Sequence, residues 1–280
     1  MTLRAVTCDS CGGAVAMEVG EDAPRCLFCG SAALTEQAAL PEEIEPPNAV
    51  VSFSVSDDEA DAAFRKFARS SFWYPNDIRQ ARLDLNRLYL PAWVFSGTIE
   101  THFAALVSAA TRSGSRPVAG SERTQMQGVL VPSSSALTRA ELHDISPFEL
   151  VDTSAFEPDS LDEPYELGSL TRTSATDQAR GLMRDMHRRD LGKQIGAKKI
   201  NATALQESLS GDPVLLPIFI GAYRRKDEVY RIVINGQTGR LTGSAPISWA
   251  KIALAVLIVL GVIGTLLLCA SIVAAIGSQL

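Results

Sequence analysis

Cys8, Cys11, Cys26 and Cys29 form two Cys-x-x-Cys-Gly knuckles near the N-terminus. Cysteine thiolates bind zinc well because the ion is borderline soft and accepts tetrahedral geometry without penalty. Two cysteines three apart grip one ion from a tight turn, and the 14 residues between the pairs suit a short hairpin joining two such turns. Gly12 and Gly30, which follow the second cysteine of each pair, let the backbone turn back and aim N–H groups at sulfur. Arg4 and Arg25 are placed to offset part of the negative charge. The segment has few large apolar side chains, so metal binding would supply its folding energy, and zinc is expected in a structural role. A catalytic zinc needs an open coordination position, which a four-cysteine set does not leave. Iron in a rubredoxin-like site is the alternative ion. A redox dithiol fits less well, because no βαβ pattern surrounds either pair.

The opposite end of the chain is an apolar run, residues 252–276, without charge or proline. At 1.5 Å per residue it spans roughly 37 Å, against roughly 30 Å for a bilayer's hydrocarbon core, so a tilted helix crosses. Trp249 and Lys251 stand at its near boundary, where an amphipathic ring and a snorkelling amine belong. Arg240 and Lys251 put the positive charge on the near side, which predicts a single-pass, tail-anchored cell-membrane protein with its N-terminal domain cytoplasmic. The absence of an apolar stretch in residues 1–20 agrees, and a reducing compartment keeps the cysteines free for metal. Small residues at Gly261 and Thr265, and at Ala270 and Ala274, permit helix pairing and hence a homodimer. Cys269 reads as a small apolar filler in this run.

Four segments follow: a zinc ribbon over residues 1–35, an acidic proline-rich linker over 36–49, an α+β soluble domain over 50–245 and a transmembrane anchor over 246–280. The linker holds Pro41, Pro46 and Pro47 among Glu42, Glu43 and Glu45, with no Lys or Arg between Arg25 and Arg65. It reads as a stiff solvated spacer, an acidic binding segment being the other reading.

Ser56 with Glu59 forms a capping box, and Ala60, Ala63, Phe64 and Phe67 fall on one helical face. A short second helix is expected from Asn76. Phe72, Trp73 and Tyr74 read as core aromatics, or as a stacking platform for a ligand. Leu90-Pro91-Ala92-Trp93-Val94-Phe95 is echoed by Leu216-Pro217-Ile218-Phe219-Ile220-Gly221, which implies two related β-hairpin units in one domain. Residues 229–234 are rich in β-branched side chains, and Asn235-Gly236 with Thr238-Gly239 supplies turn chemistry. Residues 111–128 read as a mobile loop, 124–131 as a strand and 137–170 as an irregular strap. Residues 174–209 read as a basic helix with Ala179, Leu182, Met183 and Met186 on one face. Its arginines and lysines would be a solvated face, a lipid-facing one or a nucleic-acid contact.

Residues 8–31 resemble a zinc ribbon of the general transcription-factor type. Together with the stretch from Leu215 through Asn235-Gly236-Gln237-Thr238-Gly239-Arg240 to Pro246, and more loosely Leu90 to Trp93, the chain resembles a group of bacterial membrane proteins labelled by that TFIIB-type zinc ribbon. The resemblance touches about half of the chain and implies architecture, not activity. Helicase labels in that group find no support here, since a Gly-x-x-x-x-Gly-Lys-Ser/Thr loop is missing.

The net charge of -6 argues against a protein built to hold nucleic acid, and in the head Asp9, Glu18, Glu21, Asp22 and Glu36 outnumber Arg4 and Arg25. His102, His143 and His187 are scattered, and neither a nucleophile elbow nor a phosphate-cradling loop is present. The expected function is therefore a non-catalytic adaptor or scaffold that binds membrane lipid through its C-terminal helix and a protein partner through its soluble part. A membrane-held nucleic-acid or transcription module is the alternative. A hydrolase or lipid-handling enzyme assembled from distant residues stays open.

Overall fold

In a computed structural model the chain is a mixed α+β protein with four helices among the described residues. The structure describes residues 3–18, 25–37, 44–80, 83, 85–108, 114–150, 153–158, 161, 163–225 and 228–277. Glu21, Asp22, Pro41, Glu42, Glu43 and residues 111–113 lie outside that set, as do the side chains of Cys269, Ala270 and Ala274.

Two long strands form the spine. Strand β5 (Asn86–Ser108) pairs antiparallel with β9 (Ala197–Arg225) along nearly its whole length, with Leu90 opposite Leu216. The two Leu-Pro motifs thus lie directly across from each other, about a local dyad. Proline cannot donate a ladder bond and is normally kept from central strands. Here the Pro91 carbonyl accepts from Ser133 N–H and the Pro217 carbonyl from Gly236 N–H. Within a strand a residue's N and C=O point to the same side. Both ring nitrogens therefore face away from the β5–β9 ladder, which loses no donor.

Each spine strand continues into a hairpin. Strand β6 (Ser115–Pro132) returns along β5, and β10 (Glu228–Asn235) along β9, giving the order β6-β5-β9-β10. Each unit opens with a helix, α1 (Asp57–Ala68) before the first and α3 (Arg172–Gln194) before the second. The expected pair of related hairpins is what the register displays.

From Leu88 to Trp93 β5 is buried at every residue; from Phe95 onward burial alternates. The first half is covered on both faces and the second on one. That second half, with β6 and the start of β9, makes a three-stranded arm. Helix α3 covers its buried face through Ala175, Ala179, Met183, His187 and Leu191, a stripe repeating every four residues. Trp93, Phe95, Val129 and Val131 meet α3 in one cluster.

Several expectations change. The loop expected over 111–128 is mostly strand β6; it is an exposed edge strand whose polar residues hide any alternation, and backbone bonds to β5 define it. The helix expected to reach 209 stops at Gln194, where Gly196 takes a positive φ of 61° and β9 begins. Met186 lies off the buried stripe, exposed. No helix starts at Asn76; residues 76–80 make only i→i+3 turns. Phe72 and Trp73 are exposed, not core. Within the strap, Thr138 and Glu141 form a capping box on α2 (Arg139–Ile145). The Ser56–Glu59 capping box of α1 forms as expected.

The turn after β10 also forms as expected, with Ile234 opposite Leu241 of β11 (Leu241–Gly243). Its first residue does more than turn the chain. Fully buried Asn235 accepts from the N–H groups of Gln237 and Thr238 and donates to the carbonyls of Ile145 and Pro147.

Helix α4 (Trp249–Gly277) is long and apolar enough to cross a membrane. None of its Trp249–Leu266 stretch is buried within the protein.

Candidate metal centre

Strands β1 (Leu3–Cys8), β2 (Ala14–Glu18) and β3 (Leu34–Gln37) form an antiparallel head with β1 in the middle. The first knuckle joins β1 to β2 and the second precedes β3, so the sheet brings the two turns together. The four Sγ atoms lie within 4.8 Å of one another. Across the knuckles, Cys8 Sγ is 3.7 Å from Cys29 Sγ, and Cys11 Sγ is 3.6 Å from Cys26 Sγ. A tetrahedron with metal–sulfur bonds of about 2.3 Å has an edge of about 3.8 Å, so the cage has the size zinc requires. The separations are far above a disulfide's roughly 2.05 Å. Cys8, Cys11, Cys26 and Cys29 would hold the ion, which would cross-link the two turns. The all-sulfur donor set suits zinc and also a rubredoxin-like iron.

The glycines behave partly as expected. Gly12 and Gly30 have positive φ values of 76° and 70°, where other residues are strained. Their own N–H groups bond the carbonyls of Cys8 and Cys26, tightening each knuckle. The N–H groups aimed at sulfur come from Ser10 and Cys11 toward Cys8, Gly13 toward Cys11, and Phe28 and Cys29 toward Cys26. Burial raises the Cys8 thiol, but these donors and the neighbouring thiols outweigh it and bring it down to about 7. Burial dominates at the other two, pushing Cys11 up to about 11 and Cys26 higher still. Cys8 is thus poised to ionise near neutrality, while Cys11 and Cys26 need the ion's charge to release their protons. Arg4 pairs with Glu36 at 2.5 Å, and Arg25 donates to the Gly30 carbonyl.

The head is fused to the middle of the molecule. Strand β2 pairs with β8 (Tyr165–Glu166), and Leu167 N–H donates to Ala14 C=O. Phe28 is fully buried in the cluster that contains Cys8, Leu88, Leu90 and Leu216. A Cβ on Gly13 would stand 2.5 Å from the Phe28 ring, so only glycine lets that ring in. Ser135 Oγ donates to Gly12 C=O at 2.8 Å.

Behind this joint sits Glu166, fully buried. Its Oε1 accepts from Ser135 N–H at 2.9 Å and Ala136 N–H at 3.1 Å, and lies 3.1 Å from Ser135 Oγ, whose one proton it shares with Gly12 C=O. Burial pushes this carboxyl up to about 6 despite those donors and Ser134. Among the described residues Oε2 meets no donor. Sequence reading missed Glu166 because a single glutamate between Tyr165 and Leu167 carries no local signal of burial. It lines a cavity of about 190 Å³ walled by Trp93, Pro213 and the chain at residues 44–47. Glu45 there is held by Arg172, whose guanidinium lies 4.9 Å from the centre of the Trp93 ring.

The histidines lie on separate elements: His102 on β5, exposed beside Glu100; His143 on α2, exposed beside Asp144; and His187 on α3, buried. Among the described residues, the four cysteines are the one group of three or more metal-ligating side chains that converge. Comparison with protein-family models, characterised proteins and solved structures found no match to this chain.

Proposed function

We propose that this protein is a membrane-anchored adaptor of the zinc-ribbon type its motifs resemble. In this reading α4 crosses the cell membrane once and the soluble part lies on the cytoplasmic side. A structural zinc ion held by Cys8, Cys11, Cys26 and Cys29 stiffens the head, and the head offers a surface to a protein partner. The observation that carries the reading is the character of the knuckles. All four ligand positions are sulfur, which leaves no open position for catalysis, while the knuckle residues Asp9, Ser10 and Gly12 are exposed on a head locked into the main sheet. A rigid exposed turn loses little entropy on binding. Among the described residues the outer edge of β6 pairs with no strand, so the arm offers an edge for strand addition. Charge supports a protein rather than nucleic acid: on α3, Arg180 and Arg188 pair with Asp177 and Asp185.

The test is purification of the full chain in mild detergent with quantitative mass spectrometry, alongside a Ser10→Arg variant. Elemental analysis should give one zinc per chain in both. A partner retained by the parent and depleted at least tenfold by the variant supports the adaptor reading. Equal recovery with both proteins rejects the knuckles as the docking surface.

A further inference from the structure

The turn carrying Phe72 and Trp73, expected inside the core, stands open on the surface at 63% and 42% exposure. It sits at the root of α4. Ser248 N–H donates to the Trp73 carbonyl at 2.8 Å. Lys251 on the first turn of α4 reaches back, and its Nζ donates to Phe72 C=O at 2.9 Å, Tyr74 C=O at 2.7 Å and Asn76 Oδ1 at 3.1 Å. The same ammonium lies 5.1 Å from the centre of the Phe72 ring. The lysine is therefore a clamp on the turn rather than a free snorkelling amine. Phe72 and Trp73 pack edge to face, with centroids 5.4 Å apart. Ile247 and Trp249, exposed at 54% and 79%, continue the apolar surface along the chain.

Four exposed large apolar side chains at one place are costly in water, and such patches mark interaction surfaces. The occupant follows from the clamp. Lys251 immediately precedes Ile252, where the uncharged apolar run of α4 begins. A turn tied to Lys251 is carried to the level at which α4 meets the headgroup zone. Tryptophan and other rings with a polar or backbone handle are favoured at that depth.

We propose that the turn bearing Phe72 and Trp73 is a second membrane-contact site, seated in the headgroup zone of the bilayer that α4 crosses. It rests on the reading of α4 as a membrane span. With two contacts instead of one helix, the soluble part is held at a fixed attitude to the bilayer and does not swivel on a single stalk.

Tryptophan quenching tests this with the full chain in phosphatidylcholine vesicles carrying brominated lipid, labelled either near the headgroup or near the chain ends. Two variants are compared, Trp249→Phe and Trp73→Phe. Both retain Trp93, which is buried at 2% exposure and inaccessible to lipid. We expect headgroup-proximal bromine to quench each variant at least twofold more than chain-end bromine. Quenching of Trp249 without Trp73 overturns the second contact and leaves the span standing. Quenching of neither overturns the span itself. Quenching of Trp73 without Trp249 contradicts the clamp, and with it the proposal.

Discussion

The head and the root of α4 are both junctions between a terminal segment and the middle of the molecule, and they are built in opposite ways. The head is joined by several links around a shared core: buried Phe28, the β2–β8 pairing and the Glu166-braced loop beneath Gly12. The root is joined by polar contacts centred on one ammonium, Lys251, with its aromatic side chains left outside. The first junction resists motion because breaking it opens a core. The second is directional, and it leaves its apolar side chains exposed. Burial thus makes a joint that transmits order, while a polar clamp presents a surface.

The comparison breaks most readily at the cage. Replacing Cys11 by Ser should abolish stoichiometric metal and remove folding energy on the order of 10 kcal/mol from the head. Because Phe28 shares the main core, the damage should spread. Release of that ring alone is worth roughly 3–5 kcal/mol, so the melting temperature of the middle should fall as well. Hydrogen exchange of β1 and β2 alongside that of β5 and β9 measures the spread. Lost protection confined to the head would mean the junction is not cooperative.

At the root a smaller and more local effect is expected. Lys251→Met keeps the aliphatic stem and removes three donors, for a local loss of about 3 kcal/mol. The Trp73 and Tyr74 amides, bonded to Ser71, should then exchange about 100-fold faster, with the melting temperature of the sheet unchanged. A fall in global stability equal to the local change would place this clamp in the same class as the head.

The two junctions also differ in how far the sequence reveals them. The cage is legible because its information is local: residue type, a spacing of three and a following glycine encode each knuckle. The apolar run of α4, the capping box of α1 and the turn at Asn235 are legible for the same reason. The root is not. Phe72 and Trp73 look like core aromatics until a lysine far along the chain ties their turn to the surface. Edge strand β6 hides because an exposed strand needs no hydrophobic period, and the end of α3 hides because Gly196 is one glycine among many. The Leu-Pro echo lies between these cases. Its existence is visible in the sequence, but its antiparallel register, with both prolines turned outward, emerges only on pairing.

Glu166 sharpens the comparison at the smallest scale, because it makes the head's junction sensitive to pH. Burial raises its carboxyl to about 6, above the roughly 4.3 of an unfolded glutamate. The folded state therefore holds the proton more tightly than the unfolded chain. The resulting stabilisation is complete below about pH 4.3, declines as pH rises and is lost above about pH 6, on the order of 2 kcal/mol in all. Acid would also release an ion held by the cysteines, so the difference between the parent protein and Glu166→Gln is the quantity to follow. Glutamine keeps an oxygen for Ser135 and Ala136 but cannot titrate. Denaturant midpoints across pH 5 to 7.5 should show the parent losing stability relative to the variant as pH rises. A constant difference would mean that the carboxylate is stabilised in place, and that the unpartnered Oε2 finds a donor in solution.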